Sequence, residues 1–308
     1  MEGRGMTFHV YGLSFEDRLF DPRGLFHGAP AAFLVGGSPS LLSQPHGLLE
    51  SRGVLSFSVN SAGKTFRPTC LVASDEGRCV DARLLMDPTV LKFMLSTHAR
   101  KPVRASGPLS SVALAHVPGA VFVDPVPGMP DQDLLLPSAG LRWKRNSLFL
   151  GISVMYHLGI RRIVLAGCDF GTGYSHGAEL SGDEEAWNSC LYRFEVSDLV
   201  SLKPVFDDAG LEIVDSSPES KVCPPNGPYR HVSLEEGVGM CLEGFPADFD
   251  PPSSLPHVSR LHPGLLRDVV ARSVHLDVPE EEALGGDAPA VYNGQVGPKF
   301  QEPKSIVV

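Results

Sequence analysis

Six aliphatic runs of four to six residues, each followed by glycine or a short polar residue, constrain this chain more than any other feature. They are Ala31–Val35, Val54–Val59, Cys70–Ala73, Ala120–Val123, Arg162–Ala166 and Leu211–Val214. Runs this short suit strands, and near-continuous apolarity means burial on both faces. Helical patterns lie between them. Asp87 and Pro88 supply an N-cap and first-turn signal for a helix reaching about Thr97. Asn146–Leu158 is apolar on nearly every side and closes at Gly159, which predicts a helix buried between a sheet and a neighbour. Trp187–Phe206 predicts another, bent or broken before Pro204. The alternation predicts an α/β, Rossmann-like fold: a mostly parallel sheet with helices on both faces.

Proline usage divides the 308 residues. Fourteen of 27 prolines fall in residues 1–217 and thirteen in the rest. The division predicts an N-terminal extension (1–30), a Rossmann-like nucleotide-binding and catalytic domain (31–220), and an extended proline-rich C-terminal arm (221–308). The arm carries one short helix near His262–Val274 and an acidic stretch, Pro279–Asp287, that reads as a solvated linker. Such an arm suits a homo-oligomer contact. No internal repeat is present. A hydrophobic share of 43% excludes a wholly disordered chain. A net charge of −10 disfavours nucleic acid as a partner, leaving only a local basic patch for it. No run approaches the ~20 apolar residues of a membrane span. The N-terminus lacks a secretory pattern, and the six cysteines (Cys70, Cys79, Cys168, Cys190, Cys223, Cys241) form no CxxC pair. Reduced thiols and a cytoplasmic location are the expectation.

In parallel sheets, ligands sit outside the carboxyl ends of the strands. That rule selects Gly36–Ser40, Asn60–Ala62, Ser74–Asp75, Asp169–Phe170 and Ser216–Ser217 as the lining of one nucleotide cleft. Phe33–Leu41, FLVGGSPSL, runs a strand into Gly36 and Gly37, where backbone N–H groups can approach a phosphate. Ser38 and Ser40 add hydroxyls, and a following helix would offer its positive end. Asp169, directly after RIVLAGC, puts a carboxylate at the sheet edge, able to accept from ribose hydroxyls or an amine. Tyr174 and His176, on the glycine-rich loop beyond it, suit a lid over a phosphate. Arg142, Lys144 and Arg145 precede the buried helix and could meet phosphates, whereas Arg161 and Arg162 complement that helix's negative end. Gly63-Lys64-Thr65 is not a P-loop, because Ser58 stands where that motif needs glycine. Asp131 and Asp133 lack the preceding strand that a metal-binding DxD would have, so no metal site is expected.

Taken in order, these segments resemble the small bacterial sialyltransferases and, equally, the MptE-like (6-hydroxymethylpterin diphosphokinase-like) proteins that share their nucleotide-binding half. The resemblance covers roughly residues 31–220. VGGSPSL is similar to the first-strand motif Gly-Asn-Gly-Pro-Ser-Leu, with Gly37 at the place of its nucleotide-contacting Asn. FSVN ends at Asn60, similar to a second-strand Asn that touches the nucleotide, and LVASD puts Ser74 near a further contact. RNSLFLGISVMYHLGIRRIVLAGCDF is the strongest match. It implies that Asn146 and Ser147 meet the nucleotide and that Asp169 closes its site. Tyr174 resembles a tyrosine that holds the departing phosphate. Arg193 stands where the sialyltransferases carry their general-base His, and a guanidinium cannot accept a proton. Either His176 or Asp169 then serves as base, or the chemistry differs from sialyl transfer.

The expectation is a glycosyltransferase moving a sugar from a CMP- or UDP-sugar to an acceptor hydroxyl, inverting and metal-independent, with no bound cofactor. Arg145 would stabilise developing negative charge. The alternatives are an MptE-like diphosphokinase using ATP and Mg²⁺ held by Asp75 and Asp169, a viral-type transferase acting on a DNA base, and a non-catalytic interaction module.

Overall fold

The computed structural model describes residues 8–11, 17–20, 26, 29–51, 53–74, 80–103, 112–126, 135, 141–142, 146–171, 173–175, 177 and 181–243. Its strands are β1 (Phe8–Tyr11), β2 (Asp17–Phe20), β3 (Ala32–Val35), β4 (Ser56–Val59), β5 (Cys70–Ala73), β6 (Leu91–Leu95), β7 (Ala120–Val123), β8 (Pro125–Val126), β9 (Leu141–Arg142), β10 (Arg162–Ala166), β11 (Glu212–Asp215) and β12 (Arg230–His231). The α-helices are α1 (Ala82–Met86), α2 (Ser147–His157), α3 (Gly182–Asp208) and α4 (Leu234–Leu242). Ten strands form one sheet in the order β12-β11-β10-β3-β4-β5-β6-β7-β1-β2. Every pairing from β12 to β7 is parallel, and β1 and β2 close the far edge antiparallel. This is the mostly parallel α/β sheet that the aliphatic runs predict.

The strand period of two sorts side chains between the faces. Ala32 and Leu34 of β3 pack with α2 and with Leu199, Leu202 and Phe206 of α3. Ala31, Phe33 and Val35 point the other way, into a core with Leu49 of a 3₁₀ turn and Leu234 and Cys241 of α4. α2 is buried from Ser147 through Met155, as its all-round apolarity requires.

The order of strands places the site. From β3 the chain steps outward through β4, β5, β6 and β7. After α2 it returns to β10 on the opposite side of β3 and continues to β11 and β12. The strand order therefore reverses between β3 and β10, where open α/β sheets hold their ligands.

Three elements differ from expectation. Residues 87–97 are not a helix: Asp87 Oδ1 accepts from Thr89 N at 2.8 Å, the chain turns, and β6 begins at Leu91. Leu91, Phe93 and Leu95 enter one core, Met94 the other, while the buried ammonium of Lys92 donates to the carbonyls of Asp87 and Pro118. Helix α3 runs unbroken through Pro204 to Asp208. Burial of Leu199, Leu202 and Phe206 on one stripe offsets the roughly 3 kcal/mol that an internal proline costs. The folded unit also exceeds 31–220. β1 and β2 extend the sheet before it, and Val222, Tyr229, Val232, Leu234 and Cys241 are buried after it. The helix near His262–Val274 and the linker at Pro279–Asp287 lie outside the described residues. Among the described residues no helix is long and apolar enough to cross a membrane, and no group of His, Cys, Asp or Glu is arranged to hold a metal.

Candidate functional site

Where β3 and β10 end, their backbones almost touch. A Cβ on Gly36 would lie 2.5 Å from the Gly167 carbonyl, and one on Gly167, at φ +58°, would lie 2.7 Å from the Gly36 carbonyl. These glycines let the two strand ends converge. They also set the backbone hydrogen bonds of the turn. Gly36 N donates to Ala166 O at 2.8 Å, Ser38 N to Gly167 O at 3.0 Å and Leu41 N to Ser38 O at 3.1 Å. The chain then enters a five-residue 3₁₀ turn, Pro39–Ser43, rather than an α-helix with a positive end. Within the expected phosphate cradle at Gly36–Ser40, the amides of Gly36 and Ser38 serve the strand crossing and that of Ser40 serves Asp169.

The turn instead grips Asp169. Ser40 Oγ donates to Asp169 Oδ1 at 2.5 Å, Ser40 N to Oδ2 at 3.3 Å, and Asp169 N to Ser38 Oγ at 3.2 Å. The Asp169 carboxyl is held above the usual carboxylate range by burial, which outweighs its bonds from Ser40. Phe170 beside it sits at φ +53°, unusual for a bulky residue, and its carbonyl takes the Lys221 ammonium at 2.7 Å. Above this floor opens a cleft of about 860 Å³, walled by Ser40, Asp169 and Phe170 on one side, Tyr192 and Arg193 of α3 on another, and Glu219 and Lys221 after β11. Its size falls within the range of small-molecule sites.

Asn60, Ser74 and Ser147 form a second cluster that does not line this cleft. Ser147 Oγ donates to Asn60 Oδ1 at 2.9 Å, accepts from Ser74 N at 2.9 Å and lies 2.7 Å from Ser74 Oγ. Asn60 holds a left-handed backbone at φ +48°, which asparagine tolerates. Asn146 caps α2, its Oδ1 accepting from Phe149 N at 2.9 Å. Of the turns near 36, 60, 74 and 169 expected to line a single pocket, those near 60 and 74 do not line the cleft that Asp169 floors. Ser216 and Ser217, also expected in the lining, are buried: Ser216 Oγ donates to Leu165 O at 2.8 Å, and Ser217 Oγ accepts from Cys168 N at 2.9 Å.

Tyr174 stands between the Asn60 cluster and the cleft. Its ring lies near Gly37, whose other neighbour is Ala62 just after Asn60. Its hydroxyl accepts from Asn188 Nδ2 of α3 at 3.2 Å and also bonds the phenol of Tyr192. Ser175 N donates to Gly37 O at 2.7 Å, pinning the loop over the end of β3. A Cβ on Gly37 would lie 3.7 Å from the Tyr174 ring, an ordinary contact. Glu195, one turn beyond Tyr192, hydrogen-bonds the Asn146 side chain, and burial raises its carboxyl to about 7.

Sequence reasoning missed Tyr192 and Glu195. They belong to an exposed-looking stretch of α3, and only its packing over Tyr174 and Asn146 gives them a role. Arg193 lines the cleft. Arg161 caps α2's carboxyl end, donating to Tyr156 O at 2.6 Å, and Arg162 pairs with Glu212 at 2.6 Å. Arg145, His176, Asp75, Lys144, Asp131 and Asp133 lie outside the described residues, as does the side chain of Arg142. The described cysteines, Cys70, Cys168, Cys190, Cys223 and Cys241, are free thiols.

No protein-family model and no curated protein matches the chain. Among solved structures it is similar to the MAf glycosyltransferase from Magnetospirillum magneticum AMB-1, at TM-score 0.43 and 12% identity. The match covers 78% of this chain and 37% of that one, so this chain spans little more than a third of its length. A likeness so remote assigns no activity.

Proposed function

We propose that the chain is a glycosyltransferase that moves a sugar from a nucleotide-activated donor, a CMP- or UDP-sugar, to an acceptor hydroxyl, with inversion and without a metal or bound cofactor. The observation that carries this reading is the cleft at the strand-order reversal with the Asp169 carboxylate on its floor. The sequence resemblance supplies the reaction class, and the geometry supports a division of labour. Asn60, Ser74, Asn146 and Ser147 offer amide and hydroxyl groups at the capped start of α2 for the nucleoside. Tyr174, between that cluster and the cleft, suits the leaving phosphate.

In the reaction the acceptor oxygen attacks the donor's anomeric carbon. The bond from that carbon to the phosphate oxygen breaks, and the nucleotide leaves with its electron pair. The acceptor proton passes to Asp169, whose burial makes it a stronger base than a solvated aspartate. Lys221 and Arg193 sit on the same walls and balance Asp169 and Glu219 in charge.

The test is a thermal-shift panel of CMP-, UDP- and GDP-sugars against ATP with Mg²⁺, followed by an assay of nucleotide release. A cognate donor at a hundred times its Kd stabilises by about 2.7 kcal/mol, roughly 5 to 10 °C in a domain of this size. Asp169→Ala abolishes turnover while the protein still melts cooperatively. A response to ATP–Mg²⁺ alone, to no nucleotide, or full turnover by the variant overturns the reading.

A further inference from the structure

We infer that the cleft over Asp169 is a saccharide subsite that grips a vicinal diol through the Asp169 carboxylate, and not a phosphate site. This deepens the transferase reading and rests on it only for the identity of the sugar.

The hydrogen-bonding groups already spent around the cleft decide which ligand it can take. An ionised carboxylate has about four acceptor positions. Among the described residues Ser40 alone fills two of those on Asp169, once through N and once through Oγ. The remainder belong to a group that lines the cleft. Charges of both signs line it in equal number, Asp169 and Glu219 against Arg193 and Lys221. Ser40 has given both of its own to Asp169, and Lys221 directs its ammonium to the Phe170 carbonyl at 2.7 Å. A phosphate entering would meet the carboxylates of Asp169 and Glu219 together with the cations Arg193 and Lys221, and so would gain no net attraction. An amine would meet Asp169 well, but it would share the cleft with Arg193 and Lys221.

A sugar fits both constraints. It is uncharged, and two adjacent hydroxyls donate to the two oxygens of one carboxylate. Its C–H faces suit flat apolar surfaces, which Tyr192 and the exposed Pro39 provide around the carboxylate. The left-handed backbone of Phe170 lets its side chain enter the core while its carbonyl receives Lys221 at the cleft. The diol has two possible sources, the acceptor sugar or the ribose of the donor.

Calorimetric titration of the full chain decides. The probes are methyl β-galactopyranoside with its 3,4-dideoxy analogue, uridine with 2′,3′-dideoxyuridine, and inorganic phosphate. At least one diol probe binds, and its deoxy partner binds roughly tenfold weaker or worse. Asp169→Asn weakens the diol probe by a similar factor and leaves the deoxy partner unchanged. Preference for the galactoside marks an acceptor subsite, and preference for uridine a donor ribose. The inference is overturned if neither diol probe binds at millimolar concentration, if diol and deoxy partners bind alike, or if phosphate displaces the diol probe. Should the variant fail to fold, the deoxy comparison on the unaltered protein still decides. Diol-dependent galactoside binding without donor turnover sinks the transferase reading alone. Donor turnover indifferent to the deoxy changes sinks this inference alone.

Discussion

Gly36 and Gly167 face each other where β3 and β10 end, and each occupies space that a side chain on the other would need. Their role is in packing the strand ends, so substitution acts on stability before it acts on binding. Gly36→Ala forces a Cβ to 2.5 Å from the Gly167 carbonyl and 2.9 Å from Cys168 Sγ. Backbone on one side and a buried sulfur on the other leave little to give. The expected loss is about 3 kcal/mol, read as a shift in the urea midpoint with unchanged slope. A melt indistinguishable from that of the unaltered protein would restore Gly36 as a ligand contact. The same residues show what a motif conceals. GGSPS reads as a phosphate turn in one dimension, because glycine and serine suit such turns. Only the positions of Ala166, Gly167 and Asp169 reveal that the amides of Gly36, Ser38 and Ser40 and both serine hydroxyls already have partners.

Among the elements, α2 was legible in full and α3 only in part. Asn146, the apolar run and Gly159 bound one helix without ambiguity, because a segment apolar on every side has nowhere to go but the interior. α3 is different. Its first half carries no fully buried residue among those described, and its last third is fixed by Leu199, Leu202 and Phe206. The segment after Ser220 was read as an arm because proline is frequent there, yet β12 and α4 complete a core. A Cβ on Gly237 of α4 would lie 2.8 Å from the Phe33 ring and 2.9 Å from Val164, which measures how closely this helix approaches the sheet. A chain ending at Ser220 leaves Phe33, Val164 and Val214 uncovered. It is expected to lose cooperative unfolding and to bind hydrophobic dyes, whereas a fully cooperative melt by that truncated chain would refute the packing role of β12 and α4.

At the scale of the whole molecule, buried carboxyls at the carboxyl edge set the response to pH. Burial raises Asp215 to about 6, against bonds from Ser220 and Ser217 and helped by the nearby Asp169 charge, and it raises Glu195 to about 7. Asp215 Oδ2 is buried without a hydrogen-bond partner, consistent with a costly ionised form. A raised folded-state value means that the native protein holds protons that the unfolded chain has released. Stability contributed by these two groups is present below about pH 4 and is lost as pH rises toward 6 for Asp215 and 7 for Glu195. Asp87 and Glu212 act oppositely. Burial raises both, but bonds from Arg67 to Asp87 and from Arg162 to Glu212 leave them net lowered, so their contribution fades at the acid end. The melting temperature is therefore expected to peak in mildly acidic solution and decline toward neutrality. Asp215→Asn or Glu195→Gln should flatten that decline. A melting temperature that climbs from about pH 5 to about pH 7.5, or variants with unaltered slopes, would contradict the assignment.

The sequence by itself determined six strands of the sheet, β3, β4, β5, β7, β10 and β11, together with the buried helix and the edge that carries the polar turns. Aliphatic runs bounded by small polar residues can satisfy their backbones and bury their side chains in few ways, and strand direction fixes which end carries the turns. Tertiary structure alone decided how the polar residues on that edge divide. Ser40 went to Asp169, while Ser147 went to Asn60 and Ser74, and Tyr174 rose between them on a loop held by α3. Hydrogen-bond pairing depends on distances between segments more than a hundred residues apart, as for Ser40 and Asp169, and local patterning carries no information about such distances.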